Sequence, residues 1–262
     1  MTRRLLVSAL FTLAACFGPF GITGADAQRP ASPRRIGVLL VAYSVEDKYA
    51  QEFRQGLTDA GYSEGRDVLI EWRSANGNFA QIPSLVTELI EGKPELIVVE
   101  STAAAQGVKR ATSTIPIVMA VVADPVGSGL VASLAHPSGN ITGLSVMTPE
   151  LSVKRLQLLK DAIPRLVRVA VLWNPDTSFH TKVVQDLKSA APSLSIELLF
   201  LAARTPAEID LAFLPTNLAH AQALLVIEDP VFDTQRMTLA KLAAKAHLPA
   251  IYGGDDSLTL AD

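Results

Sequence analysis

The sequence predicts an α/β protein made of two consecutive units, each a parallel sheet flanked by helices. Short aliphatic runs carry that reading. Ile117–Ala123, Val169–Trp173 and Ala223–Ile227 show no alternation, as expected of strands buried on both faces of a parallel sheet. Each run exits into a polar residue and proline: Asp124-Pro125, Asn174-Pro175 and Glu228-Asp229-Pro230. Proline disfavours the helical region for the residue before it, and an Asp or Asn there can cap a following helix. Helical patterns separate the runs, which is the signature of right-handed crossovers in a parallel sheet.

From Arg35 the pattern is strand, helix, strand, helix. Ile36–Val41 is a buried strand. Asp47–Ala60 places Tyr49, Ala50, Phe53, Leu57 and Ala60 at helical spacing, and Gly61 ends it. Val68–Trp72 alternates, as a strand nearer a sheet edge does. Ile82–Ile90 is helical, closed by Gly92 and Pro94. Leu96–Val99 is a buried strand, and a small-residue helix runs from Thr102 to Ala111. Ile115–Ala123 follows as a strand. Gly127–Gly139 is rich in Gly, Ser and Pro, with Leu130–Leu134 as one helical turn. Asn140–Val146 is a strand.

Pro149 suits a first helical position, and Glu150–Ile163 is helical through Leu151, Leu156, Leu159 and Ile163. Val167–Trp173 is a strand, Phe179–Ala190 a helix and Ile196–Leu201 a strand. Thr205-Pro206-Ala207-Glu208 reads as a capping box opening a helix toward Leu214. Ala223–Ile227, a helix over Thr234–Ala246 and a short strand Pro249–Tyr252 complete the series. The boundary falls near Gly143–Thr148, giving an N-terminal unit over 35–145 and a C-terminal unit over 146–262. The second unit lacks the elements that would finish its sheet, so truncation at the C-terminus is expected.

Composition narrows the class. Of 262 residues, 49% are hydrophobic and 19% charged, enough apolar material for a sizeable core. The net charge is −3 and no basic stripe is present, which argues against nucleic acid as a partner. Residues 1–27 read as an export signal. Arg3-Arg4 is its basic region, Leu5–Ala15 its apolar region, and Ala25-Asp26-Ala27 a cleavage pattern that makes Gln28 the mature start. The single cysteine, Cys16, lies in Leu13-Ala14-Ala15-Cys16, which resembles a lipobox. Two outcomes stay open: a lipoprotein anchored through Cys16, or a free exported protein without cysteine. Residues 28–34 form a polar linker.

Catalytic and metal motifs are missing. No G-x-S-x-G, P-loop or G-x-G-x-x-G occurs. His136, His180, His220 and His247 lack ligand spacing and read as surface or packing residues. Asp255-Asp256 reads as a solvated loop pair. No metal and no cofactor are expected. The chemistry lies at the carboxyl ends of the strands, where open α/β sheets bind small molecules. Helix N-termini there suit a carboxylate. Asp124 and Asp229 suit an ammonium, and Tyr43 and Tyr252 an aromatic body between them. With Ser101, Thr102 and Asn174 these groups fit a small zwitterion such as an amino acid. Each polar member has a second reading as a plain helix cap, and Tyr43 as a wall. Trp173 reads as core, and Glu100 as pointing to solvent or to a hinge.

Several segments are similar to one bacterial family. They are Ala111–Val118 continuing through Val122–Gly127 to Gly129–Leu134; Pro137–Gly143; Ile36–Leu39; Phe53–Leu57 with Gly61-Tyr62; Val171–Pro175; and Leu248–Gly253. The body from Arg35 resembles the ABC-transporter substrate-binding proteins related to the tryptophan and aromatic amino-acid binder. The resemblance implies the periplasmic-binding-protein type I fold, with two Rossmann-like lobes joined by a three-stranded hinge and a ligand between them. It implies ligand contacts at Tyr43, Ser101, Thr102, Asp124, Asn174, Asp229 and Tyr252. It also implies a monomer that delivers its ligand to an ABC permease in the inner membrane. Glu100-Ser101-Thr102-Ala103 stands where the family often has Gly-Thr-Pro, and the family continues beyond Asp262. Two other classes share the features: an exported ligand sensor of the same fold, and an exported α/β enzyme, for which Asp124 with Asp229 is the nominated pair.

Overall fold

The computed structural model describes residues 32–253, except 138, 147 and 219, and excepting the side chains of 148–150. The export signal, Cys16 and the Asp255-Asp256 pair lie outside the described residues. The chain splits into two compact units, one ending at Ser145 and the other starting at Val146.

Unit 1 holds β1 (Arg34–Leu40), α1 (Lys48–Asp59), β2 (Val68–Ser74), α2 (Ile82–Glu91), β3 (Leu96–Val99), α3 (Thr102–Ala111), β4 (Ile117–Ala123) and β5 (Ile141–Val146). Its sheet order is β2-β1-β3-β4-β5. The pairs β1–β2, β1–β3 and β3–β4 are parallel, with Val38 opposite both Trp72 and Val98. Alternate residues face opposite sides of a strand, and the core divides accordingly. Ile36, Val38, Leu40, Leu96, Val98 and Val118 pack with Ala50 and Leu57 of α1. Leu39, Ile97, Val99, Ile117 and Met119 pack with α2 and α3 through Val86, Leu89, Ala104 and Val108. Helices thus cover both faces, which explains why these strands read as continuous apolar runs. Edge strand β2 is only half-covered, matching its alternating sequence.

Unit 2 holds α4 (Thr148–Ala162), β6 (Arg168–Trp173), α5 (Ser178–Ala190), β7 (Glu197–Ala202), α6 (Pro206–Ala212), α7 (Pro215–Leu218), β8 (Ala223–Val226), α8 (Pro230–Thr234), α9 (Arg236–Lys245) and β9 (Ala250–Tyr252). Its sheet runs β7-β6-β8-β9, with β6–β7, β6–β8 and β8–β9 all parallel. Val169–Leu172 and all of β8 are buried. No helix among the described residues is long and apolar enough to cross a membrane.

Local differences from the sequence reading have identifiable causes. Leu130–Leu134 is not helical; the turn lies earlier, at Pro125–Gly129, where Leu130 N–H and Val131 N–H both bond back to the Pro125 carbonyl. Thr234–Ala246 is not one helix. A separate turn, α8, starts at Pro230 under its Asp229 cap and closes at Gln235, whose N–H reaches the Val231 and Phe232 carbonyls. The capping box at α6 is shifted by one residue: Thr205 Oγ1 accepts from Glu208 N–H, but the Glu208 carboxylate accepts from Arg204 N–H rather than from Thr205.

Candidate functional site

The strand exits of unit 1 are closed by side chains. Past the end of β1, the Val41 amide needs an acceptor, and Glu100 Oε2 supplies one at 2.8 Å. Glu100 is 5% exposed, so it turns inward and joins the exits of β1 and β3 instead of facing solvent. Ser101 Oγ caps α3 by accepting from Ala104 N–H. Thr102 Oγ1 lies 3.2 Å from both the carbonyl and the amide of Ala123, tying α3 to the end of β4. Both residues are buried.

Asp124 adopts a left-handed backbone, φ 43°, and no helix follows it. Its Oδ1 accepts from Gly127 N–H at 2.8 Å, so it organises a turn where a helix cap was expected. A Cβ at Gly127 would collide with that carboxylate. Tyr43 is half-buried. Its ring meets Tyr49 at 4.4 Å between centroids, and its carbonyl accepts from Ser74 Oγ.

Unit 2 builds a buried polar cluster from the exits of β6 and β8. Asp229 caps α8, its Oδ1 accepting from Val231 N–H at 2.9 Å. The same oxygen accepts from Asn174 Nδ2 at 3.3 Å, while Oδ2 accepts from Thr177 Oγ1 at 2.6 Å. Asn174 Oδ1 in turn accepts from Asp176 N–H. His180 completes the cluster. Its Nδ1 accepts from Asn174 N–H at 2.9 Å, and its Nε2 faces the Glu228 carbonyl at 2.9 Å. An acceptor Nδ1 assigns the ring proton to Nε2, a neutral tautomer that donates to Glu228. Burial holds the His180 pKa below the ordinary histidine value, against the opposing pull of Asp229. The ring and the Asp229 carboxylate are both fully enclosed.

Tyr252 lies opposite Val226 on β9 and is half-buried, which raises its phenol pKa. The next residue must be glycine-sized: a Cβ on Gly253 would sit 2.8 Å from the Glu228 nitrogen.

Of the seven expected site residues, the structure joins Asn174 to Asp229 directly, and connects Thr102 to the β4 exit that carries Asp124. Ser101, Thr102, Asn174 and Asp229 face inward and hold their loops, whereas Tyr43, Asp124 and Tyr252 keep partial exposure. Trp173, read as core, is half-buried. Thr177 and His180 were not singled out as site residues. His180 shares an i, i+3, i+4, i+7 stripe with Val183, Val184 and Leu187, all buried, and that spacing is the signal that could have placed it inward. A shallow hollow of about 500 Å³ along β7, α6 and α7 contains none of the seven.

Comparison with known proteins finds relatives across the body of the chain. The profile of the family described as ABC transporter substrate binding protein matches residues 36–259. The chain is 29% identical over 228 residues to a tyrosine-binding protein of Clostridioides difficile, covering 86% of this chain and 65% of that relative's length. Among solved structures, it is similar to an ABC domain from Streptococcus pneumonia in complex with L-Trp, with TM-score 0.73, 24% identity, and coverage of 85% of this chain and 75% of that one. It is also similar to a conserved domain protein from Vibrio cholerae, with TM-score 0.75, 27% identity and the same coverage.

Proposed function

Because the chain belongs to the ABC transporter substrate-binding protein family, we propose that it captures a small amino acid with an aromatic side chain outside the cytoplasm and hands it to a membrane permease. The observation that carries this reading is the strand-exit chemistry. In each unit the carboxyl ends of parallel strands gather polar loops held rigid by buried side chains, which is where open α/β sheets take ligands. Tyr43, Ser101, Thr102, Asp124, Asn174, Asp229 and Tyr252 mark the loops that take the ligand. Tyr43 and Tyr252 are the half-buried phenols suited to an aromatic side chain. Asp124 keeps a partly exposed carboxylate for an ammonium.

Buried Asn174 and Asp229 act by fixing the loops and orienting the α8 N-terminus. A pre-formed site of this kind binds without covalent chemistry, in keeping with relatives that are binding proteins. The protein works as an exported monomer, either free or anchored through Cys16.

A thermal-shift titration of the purified protein with L-tyrosine, L-tryptophan, L-leucine and glycine tests the proposal. A ligand at about 100 times its Kd stabilises the native state by about 2.7 kcal/mol. An upward shift with the aromatic amino acids supports the reading. A cooperative melt unmoved by all four refutes it.

A further inference from the structure

We infer that His180 is a positioning residue of the ligand site, which locks the β6 and β8 exit loops in one geometry without touching the ligand. The inference rests on the functional reading above. The last ladder bond between these strands runs from Ile227 N–H to the Leu172 carbonyl at 3.0 Å. The next bond of this parallel register would run from the Asn174 amide to the Ile227 carbonyl, but the strands part there and the Asn174 amide turns to His180 instead. A neutral imidazole carries an acceptor and a donor on opposite sides of one rigid ring. His180 places that ring in the gap, accepting from Asn174 and donating to Glu228 at 2.9 Å each.

The side chain thereby bridges the two strand exits past the point where the main-chain ladder ends. It fixes the two residues immediately before and at the loops' polar tips, Asn174 on one side and Asp229 on the other. Asn174 and Asp229 then bond to each other, and Thr177, one turn before His180, closes the far carboxylate oxygen. The ring itself is fully enclosed, so its influence on a ligand passes through these loops. Phe179, whose ring meets His180 edge-on at 4.6 Å, holds the imidazole plane in place.

The test compares His180→Phe, His180→Asn and His180→Gln with Leu187→Ala, a fully buried α5 residue remote from the loops. All are made in the full chain. Calorimetric titration with L-tyrosine and L-tryptophan gives Kd for the folded protein, and melting gives Tm. His180→Phe keeps an aromatic ring, somewhat larger than imidazole, but neither hydrogen bond. It is expected to weaken binding by about tenfold or more, the loss of one to two net hydrogen bonds.

His180→Asn can still accept from Asn174, and His180→Gln can still reach Glu228, so both should fall between wild type and Phe. Leu187→Ala should lower Tm and leave Kd unchanged. Hydrogen exchange at the Asn174 amide should accelerate in His180→Phe and stay near wild type in His180→Asn. If His180→Phe does not fold, the Asn and Gln variants carry the same comparison. Wild-type binding with His180 variants no weaker than Leu187→Ala overturns this inference alone. Wild-type protein that binds neither amino acid overturns the functional reading, and this inference with it.

Discussion

Thr177→Val measures the strength of the buried cluster in unit 2. The substitution keeps shape and volume and removes one hydroxyl. Thr177 Oγ1 donates to Asp229 Oδ2 at 2.6 Å, and both residues are buried, at 5% and 2% exposure. Thr177 makes no side-chain cap to α5, so no helix-capping loss confuses the result. Without the hydroxyl, Oδ1 keeps Asn174 and Val231, but Oδ2 faces only the His180 ring at 3.8 Å, too far for a hydrogen bond.

Water cannot replace the lost donor without opening the loop. A hydrogen bond to a charged group contributes about 1.5–3 kcal/mol, and the enclosed site places the loss near the top of that range. Thr177→Ser keeps the donor and loses one methyl, for about 0.8 kcal/mol. The chain's two tryptophans fall one in each unit, at Trp72 and Trp173. In a Trp72→Phe background, Trp173 fluorescence therefore follows unit 2 alone during urea unfolding, and the two-state treatment is applied to that unit. With a urea m-value of about 2 kcal/mol/M, the Val variant should lose about 1.5 M in midpoint at unchanged m. A Val variant within about 0.5 kcal/mol of wild type, or no better separated from wild type than Ser, would refute the reasoning.

Three further outcomes are expected. His180 is held neutral in the fold, so the unfolded chain binds more protons below about pH 6.5; unit 2 stability should be full above that value and fall as pH drops toward the lowered folded pKa, with the slope reduced in His180→Gln. Ser101→Ala removes the α3 cap and should cost unit 1 about 1 kcal/mol, read from Trp72 fluorescence in a Trp173→Phe background. Gly253→Ala drives a Cβ into the Glu228 backbone and should cost about 1–3 kcal/mol in unit 2, whereas Gly61→Ala, with open space around its Cβ, should show only the penalty of its positive φ.

The strand framework was legible because burial on both faces leaves a local mark. Stretches such as Leu96–Val99 and Ala223–Val226 are apolar at every position, and Asp or Asn with Pro flags where several of the strands stop. The loop residues were legible as positions but not as roles. Whether Asp229 faces ligand or interior depends on Asn174 and Thr177, which stand 55 and 52 residues away in the chain. The solvent-facing reading of Glu100 failed for the same reason: nothing local reveals that the Val41 amide, 59 residues earlier, lacks a ladder partner. Short helices fared worst. α7 and α8 have four and five residues, too few for periodicity to emerge, and only the Asp229-Pro230 start gave α8 a signal.

The strand orders also bear on how the protein is made. Among the described strands of unit 1 the first to emerge, β1, lies inside the sheet, with β2 on one flank and β3, β4 and β5 added outward on the other. Unit 2 repeats the plan, with β6 inside, β7 on one flank, and β8 then β9 on the other. No later strand has to be threaded between two that are already paired. Each sheet can therefore grow at its free edges in the order in which the chain emerges, so the long-range pairings that slow parallel sheets close one at a time onto an existing template. Pulse-labelled chains arrested after β4 or after β9 should accordingly acquire protease resistance one unit at a time, N-terminal unit first.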